Sequence, residues 1–484
     1  MKRNLFCLLF CLIQSNLFAQ IFFEKTYPDT AYSKGYGVQQ MPDSGYMILA
    51  TTQVFTVDTV FLDSIFINKL FLIRTNSNGD TLWTKLLNDT SFNYLTGYEA
   101  LDLQKTSDGN LIALGGIGCC SGGVLVKFDY FGNIYWATAF SGPDINTLIF
   151  GMKEYFDKGF LVTGSNGHLS NPNYYWDVYL VKIDSLGVIE FDTTYGEARS
   201  DEGRDIEFDL DSNTYIVSKS WSFPLEATPT TYLIKLDKNF NKLWYKTYGT
   251  PTSGYYNQSM EKTADNNFVI LAPDYGFTHK ELHIIKVDTA GNTIWNKVIL
   301  DSIMLWEHST IYTTLDDGFI VAGEHGFSIT NWDGYLIKLD SSGNIQWNYF
   351  FDVDSLSGFF NVIQTFDSGF AAIGYSSHQV PQESDVYLVK TNKFGQLSSN
   401  PNNTVQISNE TNSLMIFPNP ATDKLYIWSQ KNENIILSNL LGEIITERKL
   451  SLVSNGNLVL DISMLASGIY LIKAGNEVRK FVKE

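Results

Sequence analysis

The sequence predicts an all-β protein: a seven-bladed β-propeller with four-stranded blades, followed by a small C-terminal β-sandwich. Three observations lead to this prediction. A cation recurs every 51 to 55 residues, short runs rich in Val, Ile, Tyr and Trp flank each copy, and Gly, Asp or Asn separates the runs. A fixed period of this size is typical of an array of one supersecondary unit. Four short strands per unit, with a third strand that is apolar on both faces, favour blades stacked face to face.

Each repeat contains two tight turns. In the sixth copy we expect strand A near Ser309–Thr314, B near Phe319–Ala322, C near Tyr335–Leu339 and D near Ile345–Phe350. The repeats align on a cation in strand C, which is Arg74, Lys127, Lys182, Lys235, Lys286, Lys338 or Lys390. An Asp or Asn follows two residues later, and a glycine three residues after that, except for Phe240 in the fourth copy. This spacing predicts a C–D turn in which Gly takes a positive φ.

The A–B turn has a comparable pattern, as in Asp43-Ser44-Gly45 and Asp367-Ser368-Gly369. Gly or Asn holds its last place in every copy. We therefore expect that last place to be the left-handed position of the turn.

Strand D carries a Trp nine residues after the cation in five copies, with Phe191 in the third. We interpret this position as a packing anchor between blades. The cation and the Asp two residues later share one face of strand C. They form either a ring of binding sites or a structural pair that ties each blade to its turn. The second interpretation is favoured, because a feature present in every repeat usually serves the repeat.

The two ends of the repeat array complement each other. The seventh copy stops after strand C, at Gly395, and lacks the Trp. Near the N-terminus, Phe23–Tyr27 matches Trp244–Tyr248 of the fourth copy. The sequence thus predicts that a strand over Phe22–Tyr27 supplies strand D of the last blade and closes the ring, which removes an open sheet edge. The alternative, a β-solenoid, would not need a displaced strand.

The N-terminus predicts export. Residues 1–19 have Lys2 and Arg3, then an apolar run over Leu5–Ile13, then Ala19 at the expected cleavage site, as in a secretory signal peptide. The formal net charge of −18 argues against nucleic-acid binding. We expect no transmembrane segment, no cofactor, no metal site and a monomer.

Cys119 and Cys120 are adjacent in the B–C loop of the second repeat. In an oxidising compartment they form either a vicinal disulfide or two free thiols, and the sequence does not distinguish between these states.

The period ends before the C-terminus. Residues 20–397 are the predicted propeller, 398–412 an Asn- and Ser-rich linker, and 413–484 a separate small domain with alternating strands. This tail contains the stretch Pro418-Asn419-Pro420, then Gly442, and later Gly468-Ile469-Tyr470 before a basic end.

In these motifs and in their order, residues 413–484 resemble the type A C-terminal sorting domain of the type IX secretion system of Bacteroidota. The resemblance implies passage through the periplasm and translocation across the outer membrane by the type IX machinery. It also implies removal of the tail, with release of the protein or attachment to surface lipopolysaccharide. We therefore expect a secreted or surface-attached protein.

The long B–C and D–A links lie on one rim of the predicted ring and hold many aromatic residues. Binding residues prefer long loops on a rigid scaffold. We predict a glycan- or protein-binding rim that includes the following aromatic residues: Trp176, Trp221, Tyr275, Trp306 and Trp332. The alternative is that long loops in a chain rich in aromatic residues bury some of these residues among themselves.

The sequence contains no nucleophile elbow, phosphate loop or metal-binding helix motif, and no catalytic residue is predicted. The predicted function is that of an exported binding or adhesion protein. The alternative is a secreted polysaccharide lyase or hydrolase whose site lies at the mouth of the propeller.

Overall fold

A computed structural model describes residues 21–28, 32–57, 64–87, 98–117, 122–142, 146–167, 175–223, 230–249, 258–275, 280–302, 305–328, 331–351, 355–378, 384–397, 414–417, 421–429, 434–439, 443–449, 457–475 and 477–483. The predicted signal peptide, the linker, Cys119 and Cys120, Pro418-Asn419-Pro420 and Gly442 lie outside these residues. In the described part of the chain, all regular structure is β.

The N-terminal strand is β1 (Phe23–Tyr27). The strands of unit 1 are β2 (Ser33–Gln40), β3 (Tyr46–Val57), β4 (Ser64–Thr75) and β5 (Thr81–Leu86); of unit 2, β6 (Tyr98–Lys105), β7 (Leu111–Ile117), β8 (Gly123–Phe128) and β9 (Ile134–Phe140); of unit 3, β10 (Asn146–Glu154), β11 (Phe160–Gly167), β12 (Trp176–Ile183) and β13 (Ile189–Tyr195); of unit 4, β14 (Asp201–Phe208), β15 (Thr214–Ser220), β16 (Thr230–Leu236) and β17 (Lys242–Tyr248).

The strands of unit 5 are β18 (Ser259–Lys262), β19 (Phe268–Tyr275), β20 (Lys280–Val287) and β21 (Thr293–Ser302); of unit 6, β22 (Leu305–Thr313), β23 (Phe319–Ser328), β24 (Asn331–Leu339) and β25 (Ile345–Phe351); of unit 7, β26 (Ser355–Gln364), β27 (Phe370–His378) and β28 (Ser384–Thr391). Units 1 to 6 are antiparallel meanders in the order A-B-C-D.

Strand β1 completes unit 7. It pairs antiparallel with β28 from Phe23 opposite Lys390 to Tyr27 opposite Val386. The predicted pairing of the N-terminal strand with the last repeat is therefore confirmed. A single parallel bridge between Trp332 and Leu356 joins unit 6 to unit 7.

Neighbouring units pack on one another through apolar clusters. One cluster joins each unit to the next, from units 1 and 2 to units 6 and 7. A further cluster joins unit 7 to unit 1, where Ile373 and Leu388 pack with Val38 and Ile48. Burying one such side chain stabilises the fold by roughly 1.5–3 kcal/mol, so these clusters are the main stabilising feature of the repeat region.

The Trp of each repeat packs against the next unit, as predicted. A Cβ added at Gly343 of unit 6 would lie 2.8 Å from the ring of Trp295 in unit 5. Glycine at this C–D turn position therefore leaves room for the ring, besides its positive φ of 77°. At the junction of units 7 and 1, Phe23 lies in the same way against Gly79.

The two departures from this pattern occur together. Phe191 replaces the Trp in unit 3, and Phe240 replaces the glycine in unit 4. Their rings lie 4.9 Å apart, and Phe240 keeps a left-handed φ of 63°. An aromatic pair thus substitutes for the Trp–Gly contact at this one junction.

The strand C cations do form structural ion pairs, but the predicted partner is wrong. Lys338 lies 2.9 Å from Asp316 of the A–B turn, and Lys127 lies 2.6 Å from Asp108 of its own A–B turn. The Asp two residues after the cation instead caps the C–D turn: Asp340 Oδ1 accepts the N–H groups of Ser342 and Asn344. A short carboxylate that caps its own turn cannot also reach the cation.

The predicted left-handed position of the A–B turn is also wrong in most copies. Positive φ falls on the residue before the final Gly or Asn, as at Ser44 (66°) and Ser368 (64°). The final glycine is needed for another reason. A Cβ at Gly369 would lie 2.1 Å from the Thr391 carbonyl oxygen, so strand C passes too close for any side chain.

The C-terminal tail forms two sheets. One contains β29 (Leu414–Phe417), β30 (Lys424–Ser429) and β33 (Asn457–Asp461). The other contains β31 (Asn434–Asn439), β32 (Ile444–Lys449), β34 (Gly468–Ala474) and β35 (Glu477–Lys483). Both sheets contribute to one core, with Leu425 and Ile427 from the first and Leu437 and Ile472 from the second.

Candidate functional site

The first strands of the repeats carry β-bulges at equivalent positions. In β2, β6, β10, β14 and β26 the register skips one residue, which is Tyr36, Leu101, Phe150, Arg204 or Phe360. The next residue is Gly37, Asp102, Gly151, Asp205 or Asn361. A bulge inserts one extra residue that is left unpaired in the ladder, and it changes the direction of the side chains at that point. The residue after that is a buried apolar one in each case, such as Leu103 or Ile206.

These first strands are also neighbours in space. Each first strand contacts that of the next unit, and β26 of unit 7 contacts β2 of unit 1. Side chains of these strands are therefore brought together from different units, and some of them, such as Tyr36 and Tyr312, also pack against the apolar clusters. They form two groups at different depths, which we call the mouth cluster and the throat cluster.

The mouth cluster consists of Lys34, Tyr36, Glu324, Phe360 and Tyr375, from units 1, 6 and 7. The rings of Tyr36 and Phe360 stack with centroids 4.9 Å apart and an interplanar angle of 30°. Lys34 Nζ lies 4.0 Å from the centre of the Tyr375 ring. The Tyr375 hydroxyl donates a hydrogen bond of 2.8 Å to Glu324. Aromatic faces, a cation and a carboxylate thus meet in one place.

A second aromatic–cation pair occupies equivalent bulge positions in units 3 and 4. The guanidinium of Arg204 lies 3.8 Å above the Phe150 ring and also pairs with Glu202. Burial raises the pKa of Tyr36, with further increases from Glu99 and Glu324. Glu99 belongs to unit 2 and Glu324 to unit 6. The charges that raise the pKa of Tyr36 therefore come from two different units, neither of which is its own.

The throat cluster lies closer to the A–B turns. It consists of the following residues from units 2 to 6: Asp102, Lys153, Asp205, Glu207, Glu261 and Tyr312. Lys153 Nζ donates to Glu207 at 2.5 Å, and the Glu207 side chain is only 5% exposed. The Tyr312 hydroxyl accepts a hydrogen bond of 2.7 Å from Asn361 Nδ2.

Two carboxyl groups of the throat, those of Asp205 and Glu261, favour their neutral form. Burial raises the pKa of Asp205 to about 7 and that of Glu261 to about 8. The charge of Lys153 lowers the pKa of both acids, and the neighbouring carboxylates raise it further. Burial also lowers the pKa of Lys153, but Glu207, Glu261 and Asp205 more than reverse this effect and hold it above its ordinary value. The cluster thus combines one firmly charged cation with an excess of acids.

These shifts predict how stability depends on pH. Between pH values of about 4 and 8 the folded protein holds protons on Asp205 and Glu261 that the unfolded chain releases. The free energy of unfolding is therefore expected to fall as the pH rises through this window. Urea unfolding at several pH values measures the slope. Glu261→Gln, which removes one of these acids, should flatten it, whereas an equal slope in this variant would contradict the assignment.

The predicted rim residues lie in different units and do not belong to either cluster. Trp176 and Trp221 are half-buried, and Lys219 Nζ lies 4.1 Å above the Trp221 ring. Trp332 is buried, with 6% of its surface exposed. Tyr275 ends β19 and Trp306 lies in β22, but their side chains are not among those described. Their role in binding stays a prediction.

Sequence reasoning did not select either cluster, although one pattern marks the throat. Two residues before each A–B turn stand Gln39, Gln104, Lys153, Glu207, Glu261, Tyr312 and Ile363. Six of these seven are polar or hydroxyl-bearing, in strands whose alternate residues are buried and apolar. Such a polar position inside an otherwise apolar repeat indicates a shared polar surface.

The tail contains the second functional feature. Tyr470, in the Gly468-Ile469-Tyr470 motif, donates to the Ala466 carbonyl oxygen at 2.8 Å and stacks on Phe481 with centroids 5.6 Å apart. The family model described as "Secretion system C-terminal sorting domain" matches residues 415–484. Residues 415–484 are a type IX secretion C-terminal sorting domain. The predicted resemblance is thereby confirmed.

The sorting domain identifies the type IX machinery as a partner and makes the protein a secreted or cell-surface one. In the part of the chain that the structure describes, no helix is long and apolar enough to cross a membrane. Nor do three or more His, Cys, Asp or Glu side chains of these residues group closely enough to hold a metal ion.

Solved structures similar to this chain are distant in sequence. PorZ, described as an essential bacterial surface component of the type IX secretion system of Porphyromonas gingivalis, is 10% identical with a TM-score of 0.40. The match covers 90% of this chain but only 58% of PorZ.

Two further solved structures are similar to the chain at comparable sequence identity and TM-score. A fungal alcohol oxidase of the AA5 family, in complex with copper, is 10% identical with a TM-score of 0.46, covering 96% of this chain and 99% of the oxidase. The polysaccharide lyase Uly1 is 9% identical with a TM-score of 0.44, covering 74% and 90%. No curated protein matches the chain.

Proposed function

We propose that the protein is an exported binding protein whose repeat region is a closed seven-bladed β-propeller and whose ligand is a saccharide held at the mouth cluster. Two observations support closure: β1 pairs with β28, and one apolar cluster joins unit 7 to unit 1. The sorting domain supplies the export route.

The observation that carries the binding function is the mouth cluster itself. Ligand sites combine aromatic walls with a small number of converging polar groups. The stacked Tyr36–Phe360 pair offers half-buried aromatic surface, and Lys34 and Glu324 place a donor and an acceptor beside it. A sugar ring has an apolar C–H face and a rim of hydroxyl groups, so it can contact both kinds of group at once.

Removing the aromatic pair tests this proposal. Tyr36→Ala and Phe360→Ala should each weaken saccharide binding at least about tenfold, because a buried aromatic contact commonly contributes more than 1.4 kcal/mol to binding. A glycan array identifies the ligand, and calorimetric titration then measures its affinity. Tyr135→Ala is the matched control, since this tyrosine is 59% exposed on strand β9.

The same titration also tests the predicted rim aromatics as the alternative binding site. Trp176→Ala and Trp221→Ala should leave affinity unchanged if the mouth cluster is the site. Loss of binding in these variants, with none in the mouth variants, would move the site to the predicted rim.

A second candidate function is polysaccharide cleavage, which the throat cluster favours. General acid catalysis needs a carboxylic acid that is still protonated near neutral pH, and Asp205 and Glu261 have this property beside Glu207. Release of reducing ends from polysaccharides by the purified protein, abolished in Glu261→Gln, would support an enzyme.

A further inference from the structure

We infer that the throat cluster receives a primary ammonium group, so that the saccharide at the mouth carries free amino groups. This inference rests on the proposed function and names the chemical class of its ligand. It follows from the charge balance of the throat, from two unused hydrogen-bond acceptors and from the depth of the acids below the mouth.

The charge balance of the throat is unequal. Four carboxyl groups, Asp102, Asp205, Glu207 and Glu261, surround one cation, and Lys153 gives its ion pair to Glu207. Among the described residues, the other three acids form no ion pair. Fixed acids without cations either hold protons or attract a positively charged group. Asp205 and Glu261 hold protons in this way, and a ligand ammonium would replace one of these protons as the positive partner.

The first unused acceptor is the Glu261 carboxylate. Asp102 and Asp205 both accept backbone N–H groups, from Leu103 and from Met260 respectively. Glu261 has no hydrogen-bond partner among the described residues. It is therefore the acid of the throat with the most capacity to accept a hydrogen bond from a ligand.

The second unused acceptor is the side-chain oxygen of Asn361. This residue is only 4% exposed, and its Oδ1 has no hydrogen-bond partner. Its Nδ2 donates to the Tyr312 hydroxyl, which places the amide next to the throat. Asn361 also holds the same position after the bulge as Asp102 and Asp205. A buried carbonyl oxygen without a donor is rare, and a donor from a ligand would satisfy it.

An ammonium group suits this set of acceptors. It carries one positive charge and three N–H donors, and it has no acceptor of its own that the carboxylates would repel. Its hydrogen bonds to carboxylates are charge-assisted, and hence stronger than those of a hydroxyl group. A neutral sugar would displace none of the protons on these acids, and an anionic sugar would oppose their ionisation.

The depth of the acids matches a ligand held at the mouth. Asp205 and Asn361 directly follow the bulged residues Arg204 and Phe360, so they lie roughly 3 Å deeper along the strand. Glu261 stands two positions further towards the A–B turn, or roughly 7 Å deeper again. A sugar ring on the aromatic pair can therefore direct an amino group to Asn361, and a longer oligomer can reach Glu261.

The test compares two probes that differ at one group, a free amine or its neutral acetamide. The purified full chain is titrated with a β-1,4-linked glucosamine tetramer and with its N-acetylated counterpart, near pH 7, where Asp205 is close to its pKa of about 7 and part of the amine is charged. We expect the free amine to bind at least about tenfold more tightly. Glu261→Gln, which loses no hydrogen bond among the described residues, should remove most of this preference.

A second variant tests whether the preference for the free amine depends on the throat acids together and not on Glu261 alone. Asp102→Asn should reduce the same preference, and thermal unfolding monitored by circular dichroism should show that both variants fold. Equal binding of the two tetramers by the wild-type protein would overturn the inference while leaving saccharide binding at the mouth intact. Binding of a lysine-rich peptide but of neither tetramer would overturn both proposals.

Discussion

Deletion of residues 20–27 is expected to lower the melting temperature sharply and to cause aggregation. The deletion removes β1 and leaves β28 as an exposed edge strand. It also removes Tyr27, which is nearly buried in the cluster that joins units 7 and 1 and whose hydroxyl donates to the Gly79 carbonyl oxygen at 2.8 Å. Tyr27→Ala alone should cost about 3 kcal/mol, as expected when a packed aromatic ring is removed.

Circular dichroism and light scattering during heating measure this effect. The matched control is deletion of residues 413–484, which share no repeat with the units and should leave the melting transition of the repeat region in place. This second deletion should instead prevent export, because it removes the sorting domain. An unchanged melting temperature without β1 would contradict closure of the propeller by the N-terminal strand.

Lys153→Met is the second change with a large expected effect. It leaves the carboxylate of Glu207, 5% exposed, without its cation. Breaking a buried ion pair by removing one partner typically costs 3–5 kcal/mol. Because the Lys153 side chain is 31% exposed, we expect a loss near the lower end of this range, about 3 kcal/mol, in the free energy of unfolding. Urea unfolding near neutral pH measures it, since Lys153 is charged there in the wild-type protein.

Two further variants show whether burial is the cause. The double variant Lys153→Met with Glu207→Leu should recover most of the lost stability, because it removes the uncompensated charge together with its partner. Lys25→Met breaks the exposed pair between Lys25 and Asp80 and should cost no more than about 1 kcal/mol. Equal losses for Lys25→Met and Lys153→Met would show that the throat is as solvated as the outer surface.

The sequence by itself determined the local structure of the repeat. The 51- to 55-residue period, the turn residues and the Trp position depend on neighbours within one or two units, so they are visible as a repeated pattern. The missing strand D of the last copy also identified Phe23–Tyr27 as its replacement, and this pairing is present. The tail was recognisable because its motifs occur in a fixed order along the chain.

The tertiary structure alone decided which polar groups meet. The sequence predicted Asp340 as the partner of Lys338, but Asp340 caps its own turn and Asp316 is the partner instead. The throat depends on contacts between units that are far apart in sequence: Asp102 and Tyr312, from units 2 and 6, come within electrostatic range of each other. A repeat specifies the fold of each unit, but the surface shared by the first strands exists only when the units are packed together, because no single unit contains more than one or two of its groups.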